Sequence, residues 1–207
     1  MVGKAKTLTN LKIVVERERV MKRLSGSRIN SPSSLPLLNL VEKELEVCYA
    51  LIEPKASYVN LKVELAGGDS SRLGDDFVLK SRSLARLLSD CSYATIFVAS
   101  IGGELEAEVE RRFKQGDKSG GLVLDTVGSE AAESLARRMQ VIIVERAKRE
   151  GFSATARFSP GYGDLHLCAQ EPILELTKAS HIGVSLTESF MLVPRKSVSA
   201  IIGWRKG

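Results

Sequence analysis

The residues of this chain best suited to binding chemistry lie in one short run, "RFSPGYGDLHL", Arg157 to Leu167. A planar guanidinium such as that of Arg157 grips a carboxylate through two parallel hydrogen bonds. Pro160-Gly161 turns the backbone where a side chain would obstruct a ligand. Tyr162 offers a ring face and a hydroxyl, which suit a cationic centre or an adenine. Two readings fit these residue types. One is a site for a small anionic or zwitterionic ligand. The other is a strand that ends in a turn, with a surface arginine beside a packed tyrosine.

Elsewhere the candidates are fewer. Glu133 falls off the apolar stripe of a long helical pattern, with Arg137 one turn later. It is either half of an i,i+4 ion pair or an acidic group facing a cationic ligand. Gly161 and Gly163 lack the spacing of a dinucleotide fingerprint. "GDKSGG", residues 116–121, is expected to be a turn before the long helix rather than a phosphate loop. His166 and Cys168 lie two apart, and a metal site there would need further ligands from elsewhere. Cys48, Cys91 and Cys168 form neither a zinc spacing nor a disulfide framework. With two histidines and no Ser/His/Asp or Cys/His order, a module that presents a ligand outranks a hydrolase.

The chain has 207 residues, 43% hydrophobic and 27% charged, enough to bury a core without staples. No apolar run reaches the roughly 18 residues of a membrane span. Met1 to Leu11 is polar, so a cytoplasmic location is expected. The net charge of +5 is mildly basic. Its densest stretch, Lys12 to Arg28, has no aromatic residue and alternates with Glu16 and Glu18. That predicts a solvated helix face, an acidic protein partner being the lesser reading. A nucleic-acid binder is the weakest reading of the charge, since clustered cations with stacking aromatics are missing. Neither nucleic acid nor a membrane is an expected partner.

These residues need elements to position them. The basic stretch reads as a short helix ending at Ser25-Gly26. Ser31 caps a second helix with Pro32 in its first turn, and Leu38, Val41, Leu45 and Tyr49 recur along it until Pro54. "ASYVNLKVELAGG" alternates as a strand, and "GDDFVLKS" turns into another. Leu84, Leu87 and Leu88 face inward on a helix over 83–89. "YATIFVASIGG" is a buried strand, followed by a helix over 104–113. Val127, Ala131, Leu135, Met139, Ile142 and Ile143 form the stripe of a helix over 122–150. "SATARFS" is expected to be a strand with Thr155 and Arg157 on one face and Ala154, Ala156 and Phe158 on the other. A helix over 173–179 and strands in "SFMLVP" and "SVSAIIGW" complete an α+β chain. Residues 1–55 form an N-terminal helical segment and 56–207 an α+β core, as one continuous domain.

"RFSPGY" followed by "IGVSLTESFMLVPRKSVSAIIG" resembles the reactivation domain at the C-terminus of cobalamin-dependent methionine synthase. That domain carries Arg-x-x-Pro-Gly-Tyr, a helix, Leu-Thr-Glu-Ser and Pro-x-x-Ser-Val-Ser. "LGDDFVL", "IFVASIGGELE" and "AAESLA" match its earlier segments in the same order, so the resemblance spans roughly Leu73 to Gly203. It implies a single C-shaped domain around a twisted antiparallel sheet. It also implies binding of S-adenosylmethionine, whose methyl group restores cobalamin that has oxidised to an inactive cob(II) form. The cobalamin is carried by a partner, a methionine synthase or corrinoid protein, and the electron by a flavodoxin or ferredoxin. By motif match Arg157 contacts the ligand, most simply its carboxylate. Ser159 offers backbone groups, Gly161 brings the backbone close, and Tyr162 lies near the reacting methyl and the corrin. Glu133 falls where the family has an acidic contact. The expected role is that of a stand-alone component of methionine synthase rather than a self-sufficient enzyme.

The resemblance has gaps. The family's Asp-Trp segment, whose aspartate contacts the ligand, has no counterpart in the N-terminal third. Gly163 to Cys168 replaces the family's Pro-Ala-Cys-Pro-Glu-His run, and the Tyr-Tyr pair of its tail has no counterpart before Gly207. The alternative expectation is therefore a capping module for a corrinoid protein that has lost S-adenosylmethionine binding.

Overall fold

The computed structural model describes residues 3–26 and 35–206. Its first half contains β1 (Lys6–Leu8), α1 (Arg17–Ser25), α2 (Leu35–Leu51), β2 (Lys55–Gly67), β3 (Ser70–Leu73), β4 (Phe77–Lys80), α3 (Arg82–Leu88) and β5 (Cys91–Ser100). Its second half contains α4 (Glu104–Lys114), α5 (Lys118–Arg149), β6 (Phe152–Ala154), α6 (Gln170–Thr177), β7 (Ser185–Leu186), β8 (Leu192–Val193) and β9 (Ser197–Lys206). The Ser31 cap and Arg28 lie outside the described residues.

One antiparallel sheet in the order β4-β3-β2-β5-β9-β6 organises the chain, and β1 pairs with β2 beside it. β5 and β9 form its centre, in register from Ser100↔Ser197 to Cys91↔Arg205 with a bulge between Cys91 and Tyr93. Alternation sends Phe97, Ala99, Ala200, Ile202 and Trp204 to one core and Ala94, Ile96, Val98 and Ile201 to the other. Burial on both faces is why these strands read as continuous apolar runs. Trp204 keeps its indole N–H satisfied inside the sheet by donating to Thr95 Oγ1 at 2.9 Å. The fold is a single α+β domain around a curled, twisted antiparallel sheet.

Helices α1, α2, α4 and α5 cover the first face, and α3 and α6 cover the second. On α5, Val127, Ala131, Leu135, Met139, Ile143 and Ala147 recur every fourth residue, and all are buried. Ile142 is half-buried at the edge of that stripe. On α2, Val41, Leu45 and Cys48 are buried, whereas Tyr49 is exposed and its hydroxyl accepts from Val15 N at 2.8 Å. The N-terminal segment, expected to be helical, also supplies β1 to the sheet.

Two local expectations are corrected. Residues 118–121 are not a turn. Helix α5 begins at Lys118, because the Asp117 side chain caps it by accepting from Gly120 N at 2.9 Å. The strand expected in "SATARFS" stops at Ala154. Ala154 lies opposite Trp204 and Phe158 opposite Ile201, so one strand spends an extra residue, which is a bulge. The extra residue flips the later side chains. Ala154 packs with the first core and Phe158 with the second, not on one shared face.

Candidate functional site

The Pro-Gly-Tyr turn is held at both ends. Phe158 exchanges two backbone hydrogen bonds with Ile201, at 2.9 and 2.8 Å. Gly161 N then donates to Leu165 O at 2.7 Å, and Tyr162 N to Ser159 O at 3.0 Å. Gly161 has φ +91°, a conformation that side-chain-bearing residues rarely adopt. Asp164 fastens the far end of the turn. Its carboxylate accepts from Ser81 Oγ and Arg82 N, both at 2.7 Å, and from Ser83 N at 3.1 Å. It thus sits across the N-terminus of α3, where orphan N–H groups and the helix dipole favour an anion. The Ser81 hydroxyl above all, then the Ser83 amide, hold its carboxyl well below the usual carboxylate range.

Beside the turn lies a cavity of about 310 Å³ whose walls include Glu133, Ser159, Tyr162, Gln170, Met191 and Arg195. Three of the expected site residues, Glu133, Ser159 and Tyr162, therefore meet across one space. Gly161 and Arg157 are not part of the wall. Gly161 shapes the turn, and Arg157 reaches the cavity's edge through Glu133. The amide of Gln170 is already engaged, donating to Phe190 O at 3.2 Å and accepting from Ser199 Oγ at 2.8 Å. Tyr162 is 56% exposed and Met191 52% exposed, so the rim is apolar and open. A larger cavity of about 460 Å³ lies between the β3–β4 turn and α6, and no expected site residue lines it. The smaller cavity is the one where chemistry converges.

A line of alternating charges runs behind the cavity. Arg157 Nη2 donates to Glu133 Oε1 at 2.5 Å. Arg157 Nη1 is buried without a hydrogen-bond partner among the described residues. Arg137 stands 3.8 Å from Glu133 Oε1 but bonds Glu130 Oε1 at 2.5 Å. Glu130 is 2% exposed, and its other oxygen accepts from Arg23 Nε on α1 at 2.8 Å. Burial alone would raise the Glu130 pKa. The hydrogen bonds from Arg137 and Arg23 outweigh it, and the carboxyl titrates below its ordinary value. Both readings of Glu133 thus describe part of the geometry, since it lies near Arg137 and also faces the cavity.

Several contributors escaped the sequence reading. Glu130 looks like any helix carboxylate until α1 folds over it. Arg23 was expected on a solvated face and instead reaches a buried acid. Asp164 stands in the singled-out run, but its partners lie more than eighty positions earlier, where no local signal links them. Among the described residues, no cluster of histidine, cysteine and carboxylate could hold a metal ion, and no helix is long and apolar enough to cross a membrane.

Comparison with known proteins bears on the fold and the family. A search of curated proteins returns no match. A solved structure described as the MetH reactivation domain bound to AdoHcy matches with a TM-score of 0.67. It is 15% identical, and the alignment covers 98% of this chain and 79% of that one. At that identity the likeness speaks for the fold. The family model for the activation domain of vitamin B12 dependent methionine synthase matches residues 66–206, which take in β3 to β9, α5, the Pro-Gly-Tyr turn and the cavity and leave β1 and nearly all of β2 outside. The chain belongs to the vitamin B12-dependent methionine synthase activation domain family.

Proposed function

We propose that this chain is a separate reactivation subunit for a cobalamin-dependent methionine synthase or related corrinoid methyltransferase, and that its cavity binds S-adenosylmethionine. The observation that carries this reading is the orphaned Nη1 of Arg157 beside Glu133. A buried donor without a partner costs about 1–3 kcal/mol, which an arriving carboxylate would relieve. Opposite charges side by side match the amino-carboxylate end of S-adenosylmethionine. The guanidinium takes the carboxylate, and Glu133 takes the ammonium through Oε2, its Oε1 being held by Arg157. The backbone at Ser159, turned by Pro160-Gly161, and the ring of Tyr162 hold the rest of the ligand.

The bound donor supplies a methyl group. This chain's residues bind it, orient it and shut out water, and no general acid or base is assigned. Exposed Tyr162 and Met191, with Leu167 beside Gly161, form an apolar rim suited to a cobalamin-carrying partner. The electron comes from a flavodoxin or ferredoxin, and the setting is the cytoplasm with the enzyme served.

One observation favours a second reading, a capping module that binds no S-adenosylmethionine: Arg157 lies outside the cavity wall and already has Glu133 as a partner. Arg157→Ala separates the two in a reactivation assay with a cob(II)-loaded partner, with docking measured alongside. Lost reactivation with docking intact supports the subunit. Docking with reactivation unaffected by the substitution, or absent from the wild type, supports the cap.

A further inference from the structure

Glu133 and Arg137 stand four apart on α5, the spacing at which a carboxylate and a guanidinium ordinarily bond across one turn. Here they form only a loose ion pair, 3.8 Å at its nearest, with no hydrogen bond between them. Glu130 diverts the arginine. Its Oε1 accepts from Arg137 Nη2 at 2.5 Å, and Ser134 Oγ steadies the same nitrogen at 2.7 Å. Its Oε2 is filled by Arg23 Nε at 2.8 Å. With both oxygens occupied and 2% exposure, Glu130 has nowhere else to turn.

We propose that Glu130 is a positioning residue for Glu133, holding Arg137 off it, and that α1 joins the ligand site through Arg23. The proposal rests on the reading that Glu133 faces the ammonium of S-adenosylmethionine. Without the Glu130 charge, Arg23 is 45% exposed and relaxes into water. Arg137 is 29% exposed, and its nearest remaining anion is Glu133. A second guanidinium then closes on Glu133, beside Arg157, and competes with the ligand's ammonium.

The test is Glu130→Gln, with affinities measured for S-adenosylhomocysteine and for 5′-methylthioadenosine, which keeps the adenosine and thioether but lacks the amino-carboxylate. A crystal structure of the unliganded variant accompanies it. Loss of one charge-assisted contact weakens S-adenosylhomocysteine about tenfold and leaves 5′-methylthioadenosine unchanged. Arg137 closes to hydrogen-bond distance of Glu133. Adding Arg137→Met removes the intruding cation and restores affinity to within about threefold. Equal losses for both nucleosides, no loss, no rescue, or an Arg137 that stays away from Glu133 each overturn the proposal. Should Glu130→Gln fail to fold, Arg137→Met alone carries the test. It keeps wild-type affinity if Arg137 is merely held aside, and a loss as large as that of Glu133→Gln overturns the proposal. If the wild type binds neither nucleoside, the S-adenosylmethionine reading falls, and the position of Arg137 in Glu130→Gln still decides the positioning role.

Discussion

At Arg157, one guanidinium nitrogen bonds Glu133 while another is buried without a partner among the described residues. Lysine could keep the first contact as a point charge but could not offer a second parallel N–H. Arg157→Lys should therefore weaken S-adenosylmethionine binding by about tenfold or more, read by equilibrium titration. Asp164 makes a second prediction, about pH. Its folded carboxyl titrates below the ordinary range because Ser81 and the α3 amides stabilise the anion. Its contribution is present above the ordinary carboxylate range and is lost as pH falls through and below it. Asp164→Asn should lower the melting temperature at neutral pH and flatten the acid side of the stability profile. Arg157 and Tyr162 were legible because their residue types carry chemistry beside a turn. Glu130 and Asp164 were not, because what distinguishes them is a partner brought from another part of the chain by folding.

Strand β9 is closely hemmed in at Gly203. A Cβ there would lie 2.5 Å from Cys91 Sγ and 2.7 Å from Leu88 Cδ2, with Thr155 Cγ2 at 3.1 Å. Gly203 N also donates to Thr155 Oγ1 at 2.9 Å, tying the bulged segment to the sheet. Gly203→Ala should destabilise the fold by about 2 kcal/mol, measured by urea unfolding. The strands β5 and β9 and the helix α5 were legible, since continuous apolar runs and a four-residue stripe follow directly from burial geometry. The bulge after Ala154 was not. "SATARFS" alternates well enough for a regular strand, and the extra residue is set by pairing with β9, which local pattern does not encode. The same limit hid the start of α5, where Asp117 and two glycines looked like a turn but serve as a cap and a first helical turn.

The whole molecule is one sheet with a core on each face, and its thiols report both. Cys48 is fully buried on the helix side, and burial pushes its thiol up to about 12. Cys91 is buried against α3, and desolvation raises its thiol too. Cys168 is exposed. A thiol reagent should therefore modify Cys168 alone in the native protein and all three cysteines after unfolding, read by peptide mass analysis. The α+β class was legible from irregular alternation of strand and helix patterns. How α1 closes over α5 was not, because its charges read as a solvated face until Arg23 meets Glu130. We propose that the Arg157 turn and Glu133 form a methyl-donor site. Calorimetric titration of the purified chain with S-adenosylmethionine, alone and with a cobalamin-loaded partner, tests it most directly. Saturable heat in the wild type that disappears in Arg157→Ala is the predicted result. Heat that is unchanged in Arg157→Ala, or no heat in either setting, would contradict it.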